Sequence, residues 1–451
     1  MEVVHIYHTN DLHSHFEHWS SIHHLLVQRR EWHEQEGDEV FIFDIGDHMD
    51  RWHPYSDASR GKGNCRLLNE AGYDAVTIGN NEGITLSHKD LGEMYVERDF
   101  HVLAANLFDE EGKLPEWGKP YHIYRTKSGT RIAVIGLTVN FTHFYHLLQW
   151  RAVDPLIELE NYLGKLNGEA DVIVLLSHLG IHDDERIAEM FPQIDVIIGG
   201  HTHHILHEGK MVGHTLVCGA GKYGQYIGHI TLGIDHNSKK AVTKEAILYD
   251  MNERPHPDDD KQAAMLYDTG KKMLDRPVAF LKVPLQTNPF ENSELPSLLC
   301  RELKEWCSAD AAFLNAGLLL GGLEGAVTEF DLLTVCPHPI NPCTVVLGGA
   351  ELKEVIMQAM DEKWDHMQIK GLGFRGTVMG KIVFAGISVQ GREILIGGEP
   401  ILPKAEYVIA IPDMFTFGRF FPEIYRSGRK TYFLPEFMRD LLRRTIERFE
   451  N

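Results

Sequence analysis

The sequence predicts a layered α/β domain followed by a smaller mixed domain, and three observations carry that prediction. The chain has 451 residues, more than one hydrophobic core ordinarily serves. Short apolar runs alternate with amphipathic segments through its first half, the pattern of strands buried between helices. The composition then breaks at 249–272, where Asn252-Glu253-Arg254-Pro255-His256-Pro257 leads into a polar, acidic stretch.

Runs at 3–7, 40–43, 75–78, 102–104, 132–137, 172–176 and 196–198 read as buried strands. Segments such as 21–35 and 154–166 read as amphipathic helices between them. Further runs at 215–218 and 227–234 close the sheet. The first domain is expected over 1–248. Residues 249–276 read as a linker that passes into a helix near Asp260, a good N-cap residue. The second domain is expected over 277–451, with helices near 293–307 and 352–362 and strands at 345–347, 381–384 and 407–411.

The composition, 43% hydrophobic and 24% charged, is that of a globular protein. A formal net charge of −21 argues against a nucleic-acid polymer or an anionic membrane as partner. An anionic substrate would therefore need local positive charge, from metals or a few arginines. No apolar stretch reaches the roughly 20 residues of a membrane span. The N-terminus enters a strand pattern with no basic-then-apolar leader, which predicts a cytoplasmic protein. The six cysteines form no CxxC pair and are expected to be reduced thiols, with Cys300 and Cys307 two turns apart on one helix face. No repeat, heptad run or low-complexity tract is present.

Five polar turns follow the apolar runs of the first domain: Asp11-Leu12-His13, Gly46-Asp47, Gly79-Asn80-Asn81-Glu82, Ser177-His178 and Gly200-His201-Thr202-His203. Strand C-terminal ends are where α/β folds gather their sites. Carboxylate oxygen, imidazole nitrogen and amide oxygen suit divalent metals that activate water. Asp11 and His13 are two residues apart, so an extended segment turns both to one side, and His201 and His203 repeat that spacing. Two ions about 3.5–4 Å apart can share a carboxylate and clamp a phosphoryl oxygen, and Asp47 is the natural bridge. Any one of these motifs is weak in a chain with 27 histidines. Their joint occurrence, each after an apolar run, is hard to explain by packing.

In that order the motifs resemble the calcineurin-like metallophosphoesterase superfamily. With the second domain they resemble its 5′-nucleotidase family, which includes UDP-sugar hydrolases and 2′,3′-cyclic-nucleotide phosphodiesterases. The resemblance implies a four-layer α/β/β/α metallophosphoesterase domain followed by a smaller α+β substrate-recognition domain of the 5′-nucleotidase type. It implies that Asp11, His13, Asp47 and His203 hold one divalent metal. Asp47, Asn80, His178 and His201 would hold the other, with manganese, zinc or iron equally suited. The implied activity is hydrolysis of phosphate esters or anhydrides in small nucleotide-like substrates, by water activated on the metals. The alternatives are a phosphodiesterase or pyrophosphohydrolase for cyclic nucleotides or UDP-sugars, and a non-catalytic nucleotide sensor. In the second domain, Ala311-Ala312-Phe313-Leu314-Asn315-Ala316-Gly317 is similar to the family's Asn-x-Gly segment, which points to Asn315. The stretch 412–422 resembles the family's aromatic-glycine segment, and the family sandwiches a nucleobase between two aromatic rings.

The chain also departs from its family. The usual Gly-Asn-His-Glu-Phe-Asp reads Gly79-Asn80-Asn81-Glu82-Gly83-Ile84 here. Asn81 stands where the family has its leaving-group histidine, and Ile84 where it has the partner aspartate. Asparagine can donate to a phosphoryl oxygen but cannot act as a general acid. His88 is the alternative candidate. After Asn-x-Gly, Leu318-Leu319-Leu320 replaces the family's phosphate-contacting arginine. Arg375 and Arg419, both flanked by glycine, are candidates to restore that charge. Phe374, Phe415 and Phe417 are candidate stacking rings.

Overall fold

The computed structural model describes residues 1–390, 393–418 and 420–449. The chain divides into two compact units, Met1–Gly270 and Lys271–Asn451.

The first unit contains a seven-stranded and a six-stranded sheet. The first sheet runs Ala241–Asp250, Tyr226–Ile234, Glu2–Thr9, Glu39–Asp44, Ala75–Thr77, His101–Leu103, Gly118–Lys119. The second runs Lys210–Val212, Thr215–Cys218, Val196–Gly199, Val172–His178, Arg131–Thr138, Tyr121–Arg125. From Glu2–Thr9 to Gly118–Lys119 in the first sheet, neighbouring strands are parallel. So are those from Arg131–Thr138 to Thr215–Cys218 in the second.

The side-chain alternation of each strand explains the layering. Val172, Val174 and Leu176 meet Val4, Ile6, Phe41 and Phe43 of the other sheet in one core. Ile173 and Leu175, on the opposite face, pack with Leu159 and Leu163 of the helix Pro155–Leu166 and with Ile187 of the helix Ile181–Met190. Both faces are covered, so the strand reads as an unbroken apolar run. Each such side chain, fully buried, contributes about 1.5–3 kcal/mol. The helix Trp19–Glu36 packs beside the first sheet's strand Glu39–Asp44. The result is the expected sequence of helix, sheet, sheet and helix.

Three local results differ from the sequence reading. The strand Ala241–Asp250 continues through Tyr249 and Asp250, paired to Ile227 and Tyr226, where a linker was expected to begin. Its alternation is weak because most of its residues are partly exposed. The helix expected near Asp260 spans Asp259–Met273, and Asp259 accepts hydrogen bonds from Ser21 N and Oγ. The short edge strands, such as Lys210–Val212, have too few residues to show a period.

The second unit is built on a five-stranded sheet in the order Ile382–Ala385, Ala311–Asn315, Glu406–Pro412, Pro342–Gly348, Lys430–Tyr432. The helices Glu294–Trp306, Gly349–Ala359 and Met438–Glu447 bury Leu299, Leu352 and Leu442 in its core. Ala311–Asn315 and Met438–Glu447 were not anticipated. The former lacks β-branched residues, and the latter is rich in charge outside its apolar stripe. All six cysteines are unpaired thiols, and Cys300 is buried with Cys307 half-buried after the helix end. Among the described residues, no helix is long and apolar enough to cross a membrane.

Candidate metal centre

The five polar turns converge at the C-terminal ends of strands from both sheets of the first unit. Asp11 and His13 follow Glu2–Thr9, Asp47 follows Glu39–Asp44, and Asn80 follows Ala75–Thr77. His178 ends Val172–His178, and His201 and His203 follow Val196–Gly199. Asp11, His13, Asp47, His201 and His203 all have positive φ, between 51° and 68°. Left-handed backbone costs non-glycine residues energy, and clusters of it mark sites where geometry is imposed by function. Backbone hydrogen bonds enforce it: Asp11 N donates to Gly46 O at 3.0 Å, and His13 N to Asp47 O at 2.8 Å. Gly79 is required because a Cβ there would lie 2.0 Å from Asp47 Oδ1.

The side chains form two overlapping groups. Ligand atoms of Asp11, His13 and His203 lie within 4.8 Å of one another, as do those of Asp11, Asp47 and His178. His13 Nε2 is 3.3 Å from His203 Nε2, 3.8 Å from Asp11 Oδ1 and 3.7 Å from Asp47 Oδ2. His178 Nε2 is 3.5 Å from Asp47 Oδ2. His201 Nδ1 lies 2.9 Å from Asn80 Oδ1, and its ring lies 5.3 Å from that of His178. Asp11 thus belongs to both groups, Asp47 lies near His13 of the first and His178 of the second, and Asn80 and His201 adjoin His178.

The electrostatics fit a cation. Burial alone disfavours charge on His178, yet the carboxylates of Asp47 and Asp11 pull its pKa up to about 10. Burial likewise works against charge on Asp47, but His178 and His13 hold its carboxyl well below the usual range. His178 Nε2 is fully buried and makes no hydrogen bond, while Nδ1 is 2.7 Å from Ile45 O and is held as the donor. With its outer nitrogen fixed by that carbonyl, the ring turns Nε2 toward the carboxylates, where a divalent ion can take the place of the proton. The hard and borderline donors present suit a divalent ion.

Several supporting residues were missed in the sequence. Glu82 accepts from the backbone N–H groups of Asp47, Met49 and Gly79, and so ties two of the turns together. Asp50 Oδ2 lies 3.5 Å from His13 Nδ1, behind the ring. Asn10 donates to Asp11 Oδ2 and to Gly221 O, fastening the first turn to a later loop. Glu82 and Asp50 each follow a proposed ligand within three residues, a signal present in the sequence but not specific.

The remaining candidates fare differently. Asn81 is buried beside the ligands: its Nδ2 lies 2.8 Å from Asp47 Oδ2 and 3.2 Å from His13 Nδ1. His88 opens the helix His88–Met94 and stacks on Trp150 at 4.1 Å. In the second unit, Asn315 is fully buried and donates to Met379 O. Phe415 is also fully buried, among Phe313, Phe420 and Phe421, so the expectation of a base-stacking ring is corrected: it has no open face. Phe374 is corrected on the same ground, being buried and stacked on His338 at 4.8 Å. Phe417 is 43% exposed and stacks on Tyr432. Arg375 donates its backbone N–H to His338 Nδ1. Arg419 lies outside the described residues.

Comparison with known proteins identifies the family of both units. The profile for calcineurin-like phosphoesterases matches residues 4–204, and that for the 5′-nucleotidase C-terminal domain matches 275–419. An uncharacterised metallophosphoesterase of Bacillus subtilis, YunD, is 44% identical over 454 residues, spanning 98% of each chain. A 5′-nucleotidase of Vibrio parahaemolyticus is 25% identical, covering 82% of this chain and 77% of the relative. Among solved structures, a Staphylococcus aureus protein provisionally described as a 5′-nucleotidase superposes with a TM-score of 0.70. It covers 98% of this chain and 96% of its own, at 19% identity, so that likeness is one of fold.

Proposed function

The chain belongs to the calcineurin-like phosphoesterases that carry a 5′-nucleotidase C-terminal domain, and from that premise we propose that it hydrolyses phosphate esters or anhydrides of small nucleotide-like molecules with two divalent ions. The observation that carries this reading is the overlap of two ligand groups on the Asp11 carboxylate, with Asp47 of the second group 3.7 Å from His13 of the first. Asp11, His13, Asp47 and His203 would hold one ion, and Asp47, Asn80, His178 and His201 the other. Manganese, zinc and iron all suit these donors. Such ions supply Lewis acidity, generating a nucleophile from water near neutral pH and neutralising charge on phosphoryl oxygens.

The chain's own residues set the rest. Asp50 orients His13, Ile45 O orients His178, and Glu82 fixes the turn that carries Asp47. Asn81 is within reach of both groups and can donate to a phosphoryl oxygen. It cannot protonate a leaving group. That observation favours the second reading, in which the substrate is an anhydride or cyclic diester whose leaving group needs no acid. Phe417 in the second unit is the accessible ring among the proposed stacking residues.

The test is product release by manganese-loaded protein from AMP, UMP, UDP-glucose, a 2′,3′-cyclic nucleotide and a non-nucleotide phosphate monoester. Turnover of any nucleotide above the plain ester supports the proposal. Turnover of the plain ester alone would refute the nucleotide assignment.

A further inference from the structure

The first unit contains a second cluster of metal-ligating side chains, away from the phosphoesterase constellation. His5 lies on the strand Glu2–Thr9, His229 on Tyr226–Ile234 and His33 in the last turn of the helix Trp19–Glu36. All three are buried. One ring nitrogen from each lies within 4.8 Å of the others. His5 Nδ1 and His229 Nε2 are 3.0 Å apart.

The fold accounts for the meeting. Tyr7 is directly opposite His229 in the antiparallel ladder, and His5 is two residues before Tyr7, so it shares that face. The helix Trp19–Glu36 brings His33 onto the same group, its ring stacked on that of His5 at 3.6 Å. Apolar residues would fill such a layer more cheaply than three imidazoles, each of which needs its polar atoms satisfied.

The outer nitrogens have oxygen partners. His5 Nε2 lies 3.5 Å from Asp38 Oδ2, His33 Nε2 lies 2.9 Å from the Tyr7 hydroxyl, and His229 Nδ1 lies 3.5 Å from the Tyr249 hydroxyl. Metal-binding histidines carry this arrangement, one nitrogen for the ion and the other held by an oxygen. Burial keeps all three rings in their neutral, lone-pair-bearing form near neutral pH, with His33 depressed to about 4 and His229 to about 3. Arg29 contributes to the depression of both and opposes a bound cation, whereas Asp38 favours one.

We propose that His5, His33 and His229 form a third metal site, for a zinc-class divalent ion, with the Asp38 carboxylate behind His5. Imidazole donors select zinc, nickel or copper over magnesium or calcium. Zinc normally takes four ligands, so three histidines leave one position for water. His5 and His33 must separate from their stacked contact to direct both lone pairs at one ion. The site is distinct from the phosphoesterase ligands and uses none of them.

The experiment is a zinc count per chain by elemental analysis after zinc loading and gel filtration. Wild type is compared with His33→Gln and His229→Gln, with phosphatase turnover followed in parallel. The expected result is one zinc fewer per chain in each variant, with turnover within about twofold of wild type. Equal zinc content in the three proteins would overturn the proposal. Should both variants fail to fold, cobalt(II) titration of Asp47→Asn keeps the test open. The proposal then expects the visible absorption of a four-coordinate, nitrogen-ligated cobalt ion, and no such band overturns it. Because the count is a difference, it stands apart from whether the phosphoesterase assignment itself is right.

Discussion

Asn81 Nδ2 lies 2.8 Å from Asp47 Oδ2, and the Asn81 backbone N–H donates to Asp47 Oδ1 at 2.7 Å. The residue that stands in the family's leaving-group position thus holds both oxygens of Asp47, the carboxylate proposed to bridge the two ions. It organises the site and offers a hydrogen-bond donor, but has no proton to give at neutral pH. Chemistry here should therefore depend steeply on the leaving group.

Asn81→His is expected to raise turnover of nucleoside monophosphates, whose alkoxide leaving groups are poor, and to change anhydride turnover little. A fully positioned general acid contributes roughly 10²–10⁴-fold. With Ile84 in place of the aspartate partner, a gain of about tenfold is expected, below what a fully positioned acid supplies. Steady-state kinetics on a series of esters of graded leaving-group pKa checks this. An unchanged slope would remove the leaving-group argument.

Asp50 stands behind His13 with its Oδ2 3.5 Å from Nδ1. Residues in that position typically contribute about 10–100-fold to metal affinity or activity. Asp50→Asn should weaken manganese binding by that order, read by titration calorimetry, and excess manganese should restore part of the turnover. Unaltered affinity would make Asp50 a packing residue only.

Phe417→Ala should raise KM for nucleotides while leaving a non-nucleotide ester unaffected. A base stacked on one aromatic ring is worth about 1–3 kcal/mol, or roughly 5–150-fold in binding. Parallel KM measurements on AMP and a plain phosphate ester decide it. Equal changes for both would assign Phe417 to the fold, through its stacking on Tyr432.

Asp413 gives a pH prediction independent of the metals. Burial pushes its carboxyl up to about 8, against two weaker backbone hydrogen bonds. An unfolded aspartate titrates near 3.9. Between about pH 4 and 8 the folded chain therefore holds a proton that the unfolded chain has lost, so this group's contribution falls as pH rises through that window. Asp413→Asn should flatten the decline: its Tm relative to wild type should be higher at pH 8 than at pH 5. Parallel Tm profiles would contradict the assignment.

The sequence was most informative where one physical signal dominated. The unbroken apolar run at 172–176 is legible because both faces of Val172–His178 are buried. His178 and Asp47 are legible because each follows such a run. Asn80 and His201 stand on the same signal, and their contact at 2.9 Å joins turns that are 121 residues apart. Asp50 and Glu82 were missed because a carboxylate near a turn is ordinarily solvated. Phe374 and Phe415 misled because an aromatic beside glycine reads alike whether it faces a ligand or a core. The His5, His33 and His229 cluster was invisible because it needs the register of two strands and the phase of a helix at once.

The central claim is that Asp47 holds the chemistry, and it is tested by comparing manganese-loaded wild type with Asp47→Asn on the best nucleotide substrate, alongside a thermal melt of each. The account predicts a loss of turnover greater than the roughly 100-fold seen for outer-shell residues, in a protein that still folds cooperatively. Turnover of Asp47→Asn equal to that of wild type would contradict it.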